Sequence, residues 1–256
     1  MKVAIRVDAS QKIGTGHVMR CLSLAEGIKK VGGDVVFVCR ELQGNLCNHI
    51  VDLGFMVLKI KESKKIHFLK EGYNLPHAAW LEDTWQNDVE QTISLIKPLA
   101  PFDWLIVDHY SLDKRWELAV RTISKKIMAI DDLFDRNHEA DIILNQNDWH
   151  QGKSKYKGKV PASCQKLLGP YFALLHNSYK KFRDKTPPKD GKINRILVYF
   201  GGVDGANLTA RTLKGLLLAK CNSTIDLVLP INSRHLDSIK SLANKAKNQG
   251  FKTFIN

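Results

Sequence analysis

Short apolar runs alternate along the chain with segments of helical period. Continuous apolar runs are typical of buried parallel strands, whereas amphipathic helices place an apolar residue every three to four positions. We predict strands over residues 2–8, 34–40, 54–60, 104–107, 126–130, 141–144, 166–171, 195–200, 224–229 and 251–255. We predict helices over residues 18–28, 64–71, 86–97, 113–124, 172–183, 208–219 and 235–249. The alternation indicates right-handed βαβ units and an α/β fold with a doubly wound sheet.

Two breaks in this pattern suggest how the chain is divided. Residues 145–162 are polar and have no period, and residues 186–191 have the strongest linker composition. We expect an N-terminal Rossmann-like catalytic domain over 1–150, a connecting segment over 151–190 and a C-terminal Rossmann-like nucleotide-binding domain over 191–256. The pattern of the last domain stops directly after a strand. We therefore expect that domain to be truncated at its C-terminus, or its edge strand to pair with another element.

The composition narrows the class of protein. Hydrophobic residues make up 44% and charged residues 25% of the 256 positions, which argues against a disordered, collagen-like or coiled-coil chain. No apolar run approaches the roughly 20 residues of a membrane-spanning helix, and the charged N-terminal segment lacks the apolar core of a signal peptide. Five widely spaced cysteines favour a reducing compartment. We expect a cytoplasmic monomer with no membrane partner.

The net charge of +13 raises the question of a nucleic-acid partner. Proteins that bind nucleic acid concentrate lysine and arginine on one stripe, often with aromatic residues between them. Here the lysines are scattered in short pairs at the ends of predicted helices and in loops. We interpret them as a solvated surface, part of which would attract a phosphorylated substrate, and expect no nucleic-acid partner.

The first candidate site is a glycine turn between the first strand and the first helix. Gly14, Thr15 and Gly16 precede His17, and Arg20 lies one helical turn further on. Glycines allow a close backbone approach, and a helix N-terminus attracts anions. The helix dipole there favours a neutral imidazole, which can act as a general base. The competing interpretation is a histidine that merely caps the turn.

The second candidate site follows the apolar run at 104–107. Asp108 and Tyr110 lie at the carboxyl end of a predicted strand, where open α/β sheets bind ligands. A loop cap and a half-buried wall residue are equally compatible with these two residues. The adjacent Asp131 and Asp132 are more typical of a loop cap than of a metal site. We expect no metal ion and no cofactor.

The third candidate site is the glycine-rich turn that opens the second half of the chain. Gly201, Gly202, Asp204 and Asn207 stand between a predicted strand and a predicted helix. Backbone N–H groups and the helix dipole in such a turn can hold a diphosphate. The competing interpretation is a tight turn capped by Asn207. Since a similar turn opens each half, we favour ligand binding.

Four ordered motifs carry a resemblance to a known family, and they extend over essentially the whole chain. They are Arg6-x-Asp8, Ile13-Gly-x-Gly-His17-x-x-Arg20, Ile106-Val-Asp-His-Tyr110 and Phe200-Gly-Gly-x-Asp204-x-x-Asn207-x-Thr209. Together they resemble the UDP-2,4-diacetamido-2,4,6-trideoxy-β-L-altropyranose hydrolases of pseudaminic acid biosynthesis. The resemblance implies a glycosyltransferase B-like fold with two Rossmann-type domains and a cleft between them.

The resemblance also implies a reaction. It implies metal-independent hydrolysis of a UDP-sugar to UDP and free sugar, with inversion at the anomeric carbon. His17 matches the catalytic histidine and Tyr110 its tyrosine partner, which positions the water. The turns at 14–16 and 202–207 would flank the diphosphate. Members of this family continue into a further segment that holds the uridine, so we expect this chain to have weak uridine affinity and low activity.

Two other functions remain open from the sequence. A UDP-sugar glycosyltransferase similar to the lipid-linked N-acetylglucosamine transferase of cell-wall synthesis has comparable glycine turns, but Arg20 replaces the proline usual near its first turn. Acceptor-independent UDP release would separate the two enzymes. A basic nucleic-acid-binding protein is suggested by the charge alone, and it predicts steeply salt-dependent binding.

Overall fold

The computed structural model of the chain describes residues 1–61, 75–147, 155–188, 190–201, 203–230, 233–248 and 250–255. It packs as two compact units, Met1–Lys180 and Lys181–Asn256. The predicted connecting segment, 151–190, lies across this division. The predicted helix over 64–71 falls outside the described residues.

A parallel sheet forms the centre of the first unit. Its strands follow the order β3-β2-β1-β4-β5-β6-β7. They are β1 (Lys2–Val7), β2 (Asp34–Arg40), β3 (Met56–Ile60), β4 (Phe102–Asp108), β5 (Ser124–Ile130), β6 (Ile142–Asn145) and β7 (Gln165–Leu168). The α-helices described in this unit are α1 (Gly16–Lys30), α2 (Cys47–Asp52), α3 (Trp85–Ile96), α4 (Lys114–Val120) and α5 (Asn177–Arg183), the last of which runs past the division between the units.

Helices cover both faces of this sheet, because successive strand residues point to opposite sides. Val3 and Ile5 of β1 pack in one apolar layer with Leu22 of α1. Ala4, between them in sequence, packs in the other layer with Trp116 of α4. Burial on both faces explains why these strands are apolar runs and not alternating patterns. The predicted doubly wound α/β fold is confirmed.

Two predicted helices have the wrong length. The helix predicted over 172–183 begins only at Asn177, because Ala173 is extended and the Leu174 N–H donates a hydrogen bond to Gln146 Oε1 at 3.1 Å. The helix predicted over 113–124 ends at Val120, because Ser124 already belongs to β5. In both cases a contact with a distant part of the chain outweighs the local helical period.

A buried ion network lies at the carboxyl end of β1. Arg6 Nη2 lies 2.8 Å from Asp8 Oδ2 and 2.6 Å from Asp88 Oδ2, and Arg40 Nη2 lies 2.9 Å from Asp88 Oδ2. His109 lies beside it, with Nε2 3.3 Å from Asp8 Oδ2. Burial disfavours the charged forms of Asp8 and Asp88. The Arg6 guanidinium outweighs this effect of burial and holds the pKa of both carboxyl groups low.

A second buried network follows β5. His138 Nδ1 lies 2.7 Å from Glu117 Oε1, and its Nε2 lies 3.8 Å from Asp131 Oδ2. Arg136 Nη1 lies 2.8 Å from Asp131 Oδ1. Burial disfavours the imidazolium, but the carboxylates of Glu117 and Asp131 outweigh it and raise the pKa of His138 to about 9.

The raised pKa of His138 predicts a pH-dependent stability. An unfolded histidine has a pKa of about 6.5, so this contribution is complete below that pH and is lost as pH rises to about 9. We expect the difference in unfolding free energy between the native protein and His138→Gln to shrink by about 3 kcal/mol between pH 6 and pH 9.5. Urea unfolding at both pH values measures it. A constant difference would contradict the charged state of His138.

The second unit contains a smaller parallel sheet. Its strands follow the order β10-β9-β8. They are β8 (Arg195–Val198), β9 (Thr224–Leu227) and β10 (Thr253–Ile255), and the helices are α6 (Leu208–Leu218) and α7 (Leu236–Asn248). Leu213 of α6 and Ile239 of α7 pack with Ile225 of β9 in its core. In the part of the chain that the structure describes, no helix has the length and apolar character needed to cross a bilayer.

Candidate active site

The strand order of the first unit reverses between β1 and β4, whose carboxyl ends lie side by side. These strands are parallel neighbours, with Val7 opposite Asp108. The chain leaves β1 toward β2 on one side, whereas β4 and β5 lie on the other. Ligands bind to open α/β sheets at such a reversal of strand order. The residues that follow β1, β4 and β5 are therefore brought together.

The glycine turn after β1 has open space beside Gly14 and Gly16. Gly14 has φ +81°, which favours glycine, and its N–H donates to the Ser10 carbonyl at 2.8 Å. A Cβ built on Gly14 or Gly16 would meet no atom within 4 Å. Thr15 precedes α1 and makes no side-chain cap. Because the first N–H groups of a helix lack intrahelical acceptors, this turn offers an accessible site for an anion.

His17 is held by a buried carboxylate. Its Nδ1 lies 2.6 Å from Asp108 Oδ1 and 3.2 Å from Arg20 Nη2. A guanidinium can only donate, so both contacts cannot be hydrogen bonds at the same time. We assign the proton to Nδ1, since the contact with Asp108 is shorter and involves an anion. This tautomer leaves the lone pair on Nε2, at the opposite side of the ring.

Arg20 forms ion pairs with the carboxylates of Asp108 and Asp132. Its Nε and Nη2 each lie 2.6 Å from an oxygen of Asp108, and Nη1 lies 3.1 Å from Asp132 Oδ2. Burial opposes the charge of Asp108, but His17 and Arg20 outweigh it and hold its pKa well below the usual range. Asp108 is therefore an anion whose two oxygens are both occupied by protein groups.

Tyr110 is oriented by a carboxylate that the sequence analysis did not select. Its hydroxyl donates to Asp132 Oδ1, and Asn147 Nδ2 lies 2.9 Å from Asp132 Oδ2. Burial and the Asp132 carboxylate raise the pKa of Tyr110. Since its proton points to Asp132, the Tyr110 oxygen presents lone pairs to any further partner. From the sequence, Asp132 is interpreted as a loop cap, because adjacent carboxylates usually have that role.

Aromatic rings pack beside His17, and the sequence predicts Tyr110 among them but not Trp80. The Tyr110 ring centroid lies 4.6 Å from that of His17, and Trp80 lies 6.2 Å from it. Trp80 stacks on Tyr110 at 5.6 Å, and His77 lies 4.4 Å from Trp80. Trp80 lies on a single 3₁₀ turn, Ala78–Trp80, where no helical period could reveal it.

The glycine turn of the second unit has its own arrangement. Gly201 has φ +75° and Asn207 has φ +53°, while Gly202 lies outside the described residues. Asp204 accepts the N–H groups of Leu208 at 2.7 Å and Thr209 at 3.0 Å, so this residue caps α6. Asn207 makes no such side-chain cap, and its Oδ1 is buried without a hydrogen-bond partner.

Comparisons with known proteins relate the whole chain to enzymes of nucleotide sugars and to one protein of unknown function. No family model matches it. It is 27% identical to the UDP-2,4-diacetamido-2,4,6-trideoxy-β-L-altropyranose hydrolase of Campylobacter jejuni, over 96% of this chain and 77% of that protein. It is 25% identical to an uncharacterised protein of Methanocaldococcus jannaschii, over 100% of this chain and 48% of that protein. The chain thus spans about half the length of the archaeal relative.

Solved structures agree on the fold. Acinetobacter baumannii MurG matches 100% of this chain and 67% of its own length, with a TM-score of 0.54 and 13% identity. Arabidopsis thaliana UGT89C1 in complex with UDP matches 100% of this chain and 70% of its own, with a TM-score of 0.59 and 12% identity. The chain has a glycosyltransferase B-like fold. The fold expected from the sequence motifs is therefore confirmed, and the similarity in sequence links this fold to a UDP-sugar hydrolase.

Proposed function

We propose that this protein hydrolyses UDP-2,4-diacetamido-2,4,6-trideoxy-β-L-altropyranose to UDP and the free sugar, as a step of pseudaminic acid biosynthesis. The observation that carries the proposal is the buried Asp108–His17 pair beside Tyr110, at the carboxyl ends of β1 and β4. Similarity to the Campylobacter jejuni hydrolase along nearly the whole chain supports the choice of substrate. The free thiols of all five cysteines support a cytoplasmic reaction.

His17 is the proposed general base. Its Nε2 takes a proton from water while the water oxygen bonds to the anomeric carbon. The bond between that carbon and the diphosphate oxygen breaks, and its electron pair leaves with UDP. Attack from the face opposite the leaving group inverts the anomeric centre. The imidazolium that forms then returns its proton to solvent, and the step requires no metal ion.

Asp108 and Tyr110 have distinct roles in this proposal. Asp108 is a positioning residue: it fixes the tautomer of His17 and stabilises the imidazolium, and both of its oxygens are occupied by His17 and Arg20. The sequence places Asp108 and Arg20 among the candidate substrate-binding residues, and their mutual contacts favour a supporting role. Tyr110 accepts a hydrogen bond from the attacking water, because its own proton is given to Asp132.

The leaving diphosphate would be met by backbone groups. The turn at 14–16 is open and lies at the positive end of α1, so the N–H groups of the first turn of α1 can stabilise charge that develops on UDP. In the second unit, the residues that precede α6 are proposed to contribute to nucleotide binding. Asp204 shapes this segment by capping α6, and Asn207 offers an unpaired side-chain oxygen.

The test is UDP release from the trideoxy sugar nucleotide with no acceptor present. We expect UDP and free sugar to form in equal amounts. A coupled assay measures the UDP, and proton NMR identifies the sugar. A glycosyltransferase would instead release UDP only when a sugar or lipid acceptor is added. UDP release that depends on an acceptor would contradict the proposed hydrolase activity and would favour a glycosyltransferase.

Tyr110→Phe is expected to reduce the rate without abolishing it. The substitution removes the oxygen that orients the water but leaves the ring against His17, so we expect kcat to fall about 10-fold with KM little changed. Steady-state UDP release measures both constants. Tyr179→Phe is a matched control, since this ring is 63% exposed on α5. A native kcat in Tyr110→Phe would mean that Tyr110 only lines the site and does not position the water.

A further inference from the structure

Among the residues that the structure describes, Trp80 is the large aromatic ring near His17 to which the proposed reaction gives no role. It is half-buried, in contrast to the fully buried Trp116 of the core. Its plane lies 27° from that of Tyr110 and 82° from that of His17. The indole is therefore stacked on the Tyr110 ring and lies edge-on to the imidazole of the proposed base.

The backbone that carries Trp80 is firmly anchored. Ala78 and Leu81, on either side of it, are 7% and 0% exposed. Ser111 Oγ, in the segment after β4, donates a hydrogen bond to the His77 carbonyl at 2.6 Å. Leu81 also belongs to the apolar layer under α3 and α4. The backbone that carries the ring is thus held in place beside the site.

We propose that Trp80 is a specificity-determining residue whose exposed indole surface packs against the apolar side of the sugar. The inference rests on the proposed function, because the substrate class comes from it. A 2,4-diacetamido-2,4,6-trideoxy sugar carries a methyl group at C6 where a common hexose carries a hydroxymethyl group. At C2 and C4 it carries acetamido groups, each ending in a methyl, in place of hydroxyls. An aromatic wall accepts methyl and C–H groups, but offers no partner for the hydroxyls of a common hexose. An apolar contact rejects a hydroxylated analogue by about 10- to 100-fold.

The test is direct titration by calorimetry in a His17→Ala background, in which the proposed hydrolysis is blocked. The ligands are UDP, the trideoxy sugar nucleotide and UDP-N-acetylglucosamine. We expect Trp80→Ala to weaken binding of the trideoxy sugar nucleotide about 10- to 100-fold and to leave the affinity for UDP unchanged. In Trp80→Ala, the preference for the trideoxy sugar nucleotide over UDP-N-acetylglucosamine should also disappear. Trp80→Phe should retain most of the affinity for the trideoxy sugar nucleotide and most of this preference.

Trp85→Ala is the matched control. This tryptophan is half-buried in the first turn of α3, with the Arg115 guanidinium 5.4 Å from its ring centroid. We expect it to bind all three ligands as the His17→Ala parent does. Equal affinity of the parent and its Trp80→Ala derivative for the trideoxy sugar nucleotide, including no measurable affinity in either, would overturn the proposal for Trp80.

The design separates this proposal from the reaction it rests on. With His17 intact, Trp80→Ala should raise KM for the trideoxy substrate about 10- to 100-fold and change kcat much less, whereas a general collapse of the site would lower kcat as well. If the native chain releases no UDP, the proposed function fails, while the binding comparison still decides the role of Trp80.

Discussion

His17→Ala is expected to lower kcat for UDP-sugar hydrolysis by about 10²- to 10⁴-fold, the usual contribution of a positioned general base. Asp108 would remain ionised and bound to Arg20, so the surrounding structure should persist. Affinity for the sugar nucleotide should change little, since the imidazole is assigned to the water and not to the diphosphate. Stopped UDP-release assays and calorimetric titration measure the two effects separately.

His49→Ala is the matched control for this prediction. His49 is exposed on α2, and its removal should leave both kcat and affinity at native values. Imidazole added to the medium should restore part of the rate of His17→Ala, because it supplies the missing base. An unchanged kcat in His17→Ala would remove His17 from the chemistry. A lost rate combined with lost affinity would make it a binding residue instead.

Asp88→Ala is expected to have the largest effect on stability, lowering the free energy of unfolding by about 3–5 kcal/mol. Asp88 is fully buried and bonds to Arg6, Arg40 and the Trp116 indole N–H. Its removal leaves two guanidinium groups in the interior with fewer anions to balance them. Such an unpaired buried charge costs far more than the packing of the missing carboxylate.

Urea unfolding of Asp88→Ala beside Glu90→Ala measures this effect. Glu90 is exposed two residues further along α3, and its replacement should change the stability by less than about 0.5 kcal/mol. Because Asp8 belongs to this network and precedes the turn that carries His17, we also expect Asp88→Ala to show reduced activity. Equal stability of the two variants would mean that the network contributes nothing measurable to the fold.

The part of the site that lies at strand ends could be predicted from the sequence. The apolar run at 104–107 predicted a buried strand, and that placed Asp108 and Tyr110 at its carboxyl end. Adjacent parallel strands bring their carboxyl ends to one edge. The structure accordingly brings His17 and Arg20 into contact with Asp108.

The missed residues depend on contacts that no local pattern encodes. Trp80 reaches the site from a 3₁₀ turn without a helical or strand period. Asp132 resembles an ordinary loop carboxylate until Tyr110 and Arg20 are placed beside it. The motif that contains Arg6 does not reveal its partner Asp88, which lies 82 residues away in sequence.

The most direct test of the proposed reaction is hydrolysis of the trideoxy sugar nucleotide in water labelled with ¹⁸O, followed by mass spectrometry of both products. Attack of water on the anomeric carbon predicts that the label enters the free sugar and that UDP carries none. Label in the terminal phosphate of UDP would mean that water attacks phosphorus. That result would contradict the role assigned to the His17–Asp108 pair.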